Sequence, residues 1–301
     1  MTSPHRSLSV RDGDFPDRLR RLADPPAKLW IRTELTPGGL AAQLWPAPAV
    51  AIVGTRAASH AGLELARGFA WELARAGVVV VSGLARGIDG AAHRGAVMAG
   101  GRSVAVLACG LDLCYPPEHG GLAGELAARG ALLSEWPPGT PPVGWRFPRR
   151  NRLISALADA VVLVEAPAQS GAMHTVRFAL DQGREVLAVP RDPVTPGSAG
   201  PNRLLREGAP PVTSADDVLS ALGLEAGGGG ATRLFPDGGH RSIGDRLASH
   251  LGARPAQRAG EVTRAFPDLD PADVLAELVT LEVEGRVKRD AAGRYHVAVS
   301  G

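Results

Sequence analysis

The chain has 301 residues, 45% of them hydrophobic and 21% charged, with a formal net charge of +2. That balance excludes long disorder and supplies a core large enough for one sizeable domain plus a small one. A charge so near zero also excludes global electrostatics as a means of holding nucleic acid, so any cationic site must be local.

Residues 1–7 carry no apolar run behind their charges, so no secretory signal is expected. No apolar string approaches the ~20 residues a bilayer demands, and the expectation is a soluble, cytoplasmic protein with no membrane partner. Cys109 and Cys114 lie in one Cys-Gly-Leu-Asp-Leu-Cys segment without the second pair a zinc site needs. They read as reduced thiols near the end of a buried strand.

Residues 1–48 are irregular and rich in Pro and Arg, with a short amphipathic helix from Phe15 and a short strand at Leu29–Arg32. Regular alternation begins at Val50–Val53. This run leads into Gly54-Thr55-Arg56 and a helix capped by Ser59 and stopped by Gly77. Val78–Val81 leads into Ser82–Gly87 and a helix from Ile88 to Ala99. Ser103–Leu107 leads into Cys109-Gly110, an insertion through Pro117, and a helix near Leu122–Ala128. Ala131–Leu133 leads into a Pro-rich loop, Ala160–Val164 into Glu165 and a helix over about Gly171–Gln182, and Glu185–Val189 into a second Pro-containing loop. Continuous Val, Leu and Ile runs mark strands buried on both faces. Their alternation with helices predicts an α/β fold with a doubly wound, mainly parallel sheet over residues 49–222. Residues 1–48 are expected to pack on it.

Composition breaks after Leu222, and residues 223–241, with Gly227–Gly230 and Gly238-Gly239, read as a flexible linker. Residues 242–299 predict three helices closed by a hairpin, which is the outline of a small winged-helix domain. Its third helix, from Pro271, holds Asp273, Glu277 and Glu282 and no Lys or Arg before residue 286. Phosphates would repel such a helix, so a protein contact is expected of this domain rather than groove reading.

The densest chemistry lies at Trp145-Arg146-Phe147-Pro148-Arg149-Arg150-Asn151-Arg152, where four arginines and two aromatics fall in eight residues. An apolar helical run, Leu153–Leu157, follows, which places the charge in a loop and on the first turn of a helix. Arginine forks onto phosphate, and an aromatic among arginines offers a face to a base. In a parallel sheet every strand-to-helix loop leaves by the carboxyl ends of the strands, where ligands bind. Gly54, Thr55, Arg56, Arg86, Arg149 to Arg152 and the Ser170-Gly171 turn are therefore expected along one rim. Their small residues let backbone N–H groups approach an anion at a helix start. Four neutralised phosphates would give a salt slope near −3. No nucleophile elbow, zincin motif or paired catalytic Glu is present. Asp89 and His93, four apart on one helix, read better as a hydrogen-bonded pair than as metal ligands. No catalytic residue, metal or cofactor is expected.

Val53–Arg56, Val81–Asp89 with Ala91-Ala-His93, Leu107–Asp112 with Tyr115-Pro116, Leu133–Glu135, Phe147–Ile154, Val164–Ala166 and Ser170-Gly171 with Thr175 occur in this order. In this the chain closely resembles the DNA-processing protein A family, also called Smf, over about residues 15–215. Residues 242–299 look like the family's C-terminal winged-helix module, while its N-terminal SAM-like helical domain is not expected in the roughly 48 residues before the first parallel strand. The resemblance implies a Rossmann-like domain that binds single-stranded DNA, and a recombination mediator of natural transformation. Such a protein protects incoming DNA, loads the RecA recombinase and works as a homodimer through that domain. It carries DNA contacts onto Gly54, Arg56, Arg86, Phe147, Arg149, Asn151, Arg152, Ser170 and Thr175. Val189-Pro190-Arg191 departs from the family's usual Val-Pro-Gly. The alternative on this fold is a nucleotide-binding or nucleotide-hydrolysing enzyme similar to the phosphoribohydrolases, whose Gly-Gly-x-Gly-Thr-x-x-Glu loop is replaced here by Ser170–Thr175 without the Glu.

Overall fold

A computed structural model of the protein describes residues 5–36, 40, 44–224, 243–252, 255–266, 271–290 and 292–297. The chain divides near residue 234 into two compact units. The Gly-rich linker expected at 223–241 lies, from residue 225 on, outside the described residues.

The first unit is built on an eight-stranded sheet. Its parallel part comprises β3 (Ala49–Val53), β4 (Val79–Ser82), β5 (Ser103–Leu107), β6 (Ala131–Ser134), β7 (Ala160–Leu163) and β8 (Glu185–Ala188). The spatial order is β6-β5-β4-β3-β7-β8. The sheet continues past the free edge of β6 with β2 (Lys28–Arg32), antiparallel to β6, and then β1 (His5–Ser9), antiparallel to β2 and so restored to the direction of the parallel strands. The chain winds outward from β3 to β6, then returns to the other side of β3 for β7 and β8. This makes a topological switch point between β3 and β7, where the two following loops splay apart and leave a crevice at the strands' carboxyl ends.

Helices cover both faces. They are α1 (Asp17–Arg20), α2 (His60–Arg75), α3 (Ile88–Met98), α4 (Gly120–Arg129), α5 (Arg146–Leu157), α6 (Ala172–Asp181), α7 (Ala199–Arg206) and α8 (Ala215–Ala221). The pleat of β3 sorts the two cores: Val50 and Ile52 pack with Phe69, Leu73 and Ile88 beneath α2 and α3. Ala51 and Val53 pack with Leu153, Leu157 and Val176 beneath α5 and α6. Each Val or Leu so buried contributes about 1.5–3 kcal/mol. Ser59 caps α2 by accepting the Gly62 N–H at 3.0 Å, and Gly77, at φ +83°, ends the connection to β4.

The structure corrects the reading of the arginine-rich stretch. It is not a loop leading into a helix: α5 starts at Arg146, so all four arginines are helical. Pro148 stands third in that helix, where its missing N–H is one of the donors that would have no partner anyway. Strand β1 and helices α7 and α8 were not anticipated, and α1 is limited to a single turn.

The second unit contains α9 (Ile243–Gly252), β9 (Gln257–Arg258), α10 (Ala259–Ala265), α11 (Pro271–Val283), β10 (Val287–Arg289) and β11 (Arg294–Val297). The strands form an antiparallel sheet in the order β10-β11-β9. Leu247, Leu251, Val262, Val274, Leu278, Leu281, Val287 and Tyr295 close its core. Among the described residues no helix is long and apolar enough to cross a membrane.

Candidate nucleic-acid interface

The crevice at the switch point is a cavity of about 470 Å³. Three segments meet in it: Val53–Arg56 after β3, Phe147–Ile154 on α5, and Pro167–Thr175 leading into α6, with Ala85 and Asp89 behind. Backbone contacts fix the first segment. Thr55 donates its N–H to the Glu165 carbonyl at 2.6 Å, and its own carbonyl accepts from Ile88 N–H at 3.2 Å. Glycine is required here for space. A Cβ on Gly54 would lie 2.5 Å from Ile88 Cγ1 and 2.7 Å from the Glu165 carbonyl oxygen. At Gly87 the need is conformational as well, since φ is +71° and a Cβ would sit 2.2 Å from the Thr55 carbonyl oxygen.

Arg56 is exposed and lays its guanidinium over the Phe147 ring at 4.7 Å. Tyr115 lies beside Phe147, its ring centroid 5.7 Å away and its plane tilted by 58°. Asn151, buried, donates from Nδ2 to the Gly171 carbonyl at 3.1 Å and so pins α5 to the start of α6. Ser170 Oγ accepts from Ala172 N–H at 3.3 Å, while Thr175 is buried in the wall.

Arg150 serves differently from expectation. Only 4% exposed, it donates to the carbonyls of Gly83 and Val106 and from Nε to Asn151 Oδ1 at 3.2 Å. Burial lowers its pKa to about 10, against the pull of Asp89, so it stays cationic at neutral pH. It is a fixed positive charge under the floor, not a mobile fork for phosphate. Asp89, buried beside it, has its carboxyl pushed up by desolvation and held down by the Arg150 charge and by donors from Ala85, Ser82 and Gly83.

Nine of the twelve expected residues, Gly54, Thr55, Arg56, Phe147, Arg150, Asn151, Ser170, Gly171 and Thr175, line the crevice. Arg86, Arg149 and Arg152 do not. At 100° per residue, a helix that turns Phe147, Arg150, Asn151 and Ile154 toward the crevice turns Arg149 and Arg152 away from it. Arg152 there pairs with Glu135 at 2.5 Å and Arg149 approaches the same carboxylate at 3.5 Å. Arg152 lines a second cavity, beside Arg18, Gln182 and Arg184. Arg86 pairs with Glu118.

Three residues that sequence reasoning missed hold this arrangement. Glu165, buried at the end of β7, accepts from Ser59 N–H at 3.1 Å, from Ser59 Oγ at 2.6 Å and from Arg191 Nη2 at 2.8 Å. A lone Glu directly after an all-apolar strand was the available signal for it. Arg191 stands out in the sequence only as a departure from the glycine usual after Val189-Pro190. Tyr115 precedes Pro116 in a Pro-rich insertion, where nothing in the local sequence marks it as a neighbour of Phe147. The hydrogen-bonded Asp89–His93 pair expected from their spacing does not form: His93 Nδ1 meets Ser103 Oγ at 2.8 Å, while Asp89 accepts from Gly83 N–H at 3.1 Å. No cluster of three metal-ligating side chains exists among the described residues.

Residues 6–223 match the family of DNA recombination-mediator protein A. The chain belongs to that family. It is 42% identical over 224 residues to Protein Smf of Escherichia coli, a stretch covering 74% of this chain but 58% of that protein. It is 38% identical to the DNA processing protein DprA of Bacillus subtilis, covering 72% of this chain and 71% of the relative. Among solved structures, DNA processing protein A of Streptococcus pneumoniae superposes with a TM-score of 0.66 at 37% identity, over 71% of this chain and 73% of that one. Protein A of Helicobacter pylori, whose structure concerns a single-stranded DNA binding mode, superposes with a TM-score of 0.64 at 29% identity, over 74% of this chain and 98% of that one. The matched stretch includes every segment that lines the crevice, whereas β9 to β11 and α9 to α11 lie beyond it.

Proposed function

We propose that this chain binds single-stranded DNA in the β3–β7 crevice and serves as a recombination mediator of natural transformation. In that role it protects incoming strands and loads a RecA-type recombinase, working as a homodimer through the Rossmann-like unit. The observation that carries the reading is the pairing of an exposed Arg56 with a half-buried Phe147 at the mouth of a crevice whose floor holds a buried, charged Arg150. A phosphate on Arg56 and a base on Phe147 is the arrangement of a single-strand binder, since a base inside a duplex cannot reach such a platform. The DNA processing protein A of Helicobacter pylori, a relative in fold and sequence, supports the choice of ligand. In the second unit three helices and an antiparallel hairpin support a winged-helix assignment. The acid-rich α11, lacking any Lys or Arg, favours a protein contact there.

The test is a fluorescence-anisotropy titration of labelled oligo-dT, single- against double-stranded. Phe147→Ala is expected to weaken single-strand binding by about 1–3 kcal/mol with little sequence preference. With Arg149 and Arg152 turned away, the exposed Arg56 and the fixed charge of buried Arg150 serve the crevice, so log affinity should fall with log salt at a slope of about −1.4. Affinity unchanged in Phe147→Ala, or preference for the duplex, overturns the reading. Release of free base from nucleoside monophosphates would replace it with an enzymatic one.

A further inference from the structure

Resting on that reading, we propose a second nucleotide subsite beside the crevice, in which Tyr115 receives a base and Arg86 receives the adjoining phosphate after Glu118 has been displaced. Tyr115 is 37% exposed and continues the ring surface of Phe147 at 5.7 Å, tilted 58° from it. A strand whose base rests on Phe147 therefore meets a second aromatic face next to it. Arg86, 56% exposed in its side chain, pairs with Glu118, three residues beyond Tyr115 in the chain.

The geometry is built, not a chance meeting of surface chains. The Arg86 loop is held to the Arg56 loop by the Ile88 N–H on the Thr55 carbonyl at 3.2 Å. On its other side, His119 Nδ1 meets the Leu84 carbonyl at 3.0 Å and holds the turn Pro117–His119 against that loop. Gly90 leaves the room for this, because a Cβ there would lie 2.7 Å from His119 Cε1. Arg56, Phe147, Tyr115 and Arg86 thus follow one another along one surface. Glu118 sits at the end, its carboxylate 2.5 Å from Arg86 Nε, where an anionic oxygen of the strand would bind. Both partners are exposed, and an exposed pair of this kind is readily exchanged for another anion. Glu118 is a stand-in for phosphate that keeps Arg86 extended and oriented while no DNA is bound.

Two measurements test this. With oligo-dT of about fifteen nucleotides, long enough for a full single-strand site, Tyr115→Ala is expected to weaken binding roughly 5-fold or more, and a trinucleotide markedly less. Glu118→Gln is expected to tighten the long oligonucleotide and to steepen its salt dependence by about 0.7 in slope, the contribution of one more phosphate. In an Arg86→Ala background the same Glu118→Gln change should tighten nothing, which separates release of Arg86 from mere loss of a negative charge. Photocrosslinking with 5-iodo-deoxyuridine should tag Tyr115 as well as Phe147. If Phe147→Ala weakens binding while Tyr115→Ala loses affinity equally at both lengths, or Glu118→Gln tightens with and without Arg86, the subsite is overturned and the crevice stands. If Phe147→Ala has no effect, the crevice reading falls first.

Discussion

Replacing Arg191 by Met should destabilise the first unit far more than its position in a connecting loop suggests. Arg191 and Glu165 approach to 2.8 Å with side chains only 8% and 3% exposed. Arg191 Nη2 also donates to Ser59 Oγ at 2.9 Å, while the Ser59 hydroxyl donates to Glu165. Neighbouring glycines close the space: a Cβ on Gly62 would lie 2.1 Å from Glu165 Oε2 and one on Gly197 2.2 Å from its Cγ. The carboxylate is thus closely enclosed, and Arg191→Met leaves it buried with only Ser59 as donor. Breaking a buried pair on one side costs about 3–5 kcal/mol. For a unit of this size that is a fall in melting temperature of roughly 6–20 °C. Urea unfolding reads it as a lower midpoint at unchanged slope. The double variant Glu165→Gln with Arg191→Met should recover most of the loss, because no charge is then left without its partner. A cost below about 1 kcal/mol for Arg191→Met would mean that the pair behaves as a solvated one, and the reasoning would fail.

Two further outcomes follow from buried groups. Ser103 Oγ donates to the Val80 carbonyl, so His93 must donate to it from Nδ1, which leaves a bare Nε2 buried without a partner. Burial above all lowers the pKa of His93 from 6.5 to about 3. The folded state thus takes the neutral ring: its stability is complete above the unfolded pKa and declines as pH falls from about 6.5 toward 3. Up to about 2 kcal/mol should be lost by pH 5, and His93→Gln should flatten that part of a stability-against-pH curve; an equal slope in both proteins refutes it. Gly87→Ala meets both a left-handed backbone and the Thr55 carbonyl. It should cost about 1–2 kcal/mol or more and displace the Arg56 loop, so oligo-dT affinity and thermal stability fall together. Normal binding by that variant would show the loop to be more yielding than the contact distances allow.

The parallel sheet was legible because strands buried on both faces are written as unbroken apolar runs, and Val50–Val53, Val78–Val81, Ser103–Leu107 and Ala160–Val164 are of that kind. Each falls on a strand to within a residue or two. β1 escaped because His5–Ser9 holds one buried residue in five; it is an edge strand defined by its partner and not by its own pattern. α7 escaped because its Gly200 and Pro201 look like loop chemistry. In the fold Pro201 stands third in the helix, where its missing N–H leaves no broken bond.

The arginine stretch shows where reading along the chain loses information that the helix supplies. Eight consecutive residues rich in Arg predict one cationic patch only if they share a side, as they would in a loop draped over the rim. Once wound at 100° per residue they divide: Phe147 and Asn151 face the crevice, Arg150 dives beneath it, and Arg149 and Arg152 meet Glu135 on the far flank. The signal against a single patch was present in Glu135 and Asp89, two carboxylates with no apolar or catalytic reason to be where they are. Each turns out to face an arginine of α5. Burying one arginine and pairing two others leaves Arg56 as the exposed cation of the crevice. A strand held there therefore depends on stacking and fixed charge more than on the number of arginines, and a polynucleotide would need more than this one cavity to bind firmly. That is the physical reason to look for its continuation over Tyr115 and Arg86.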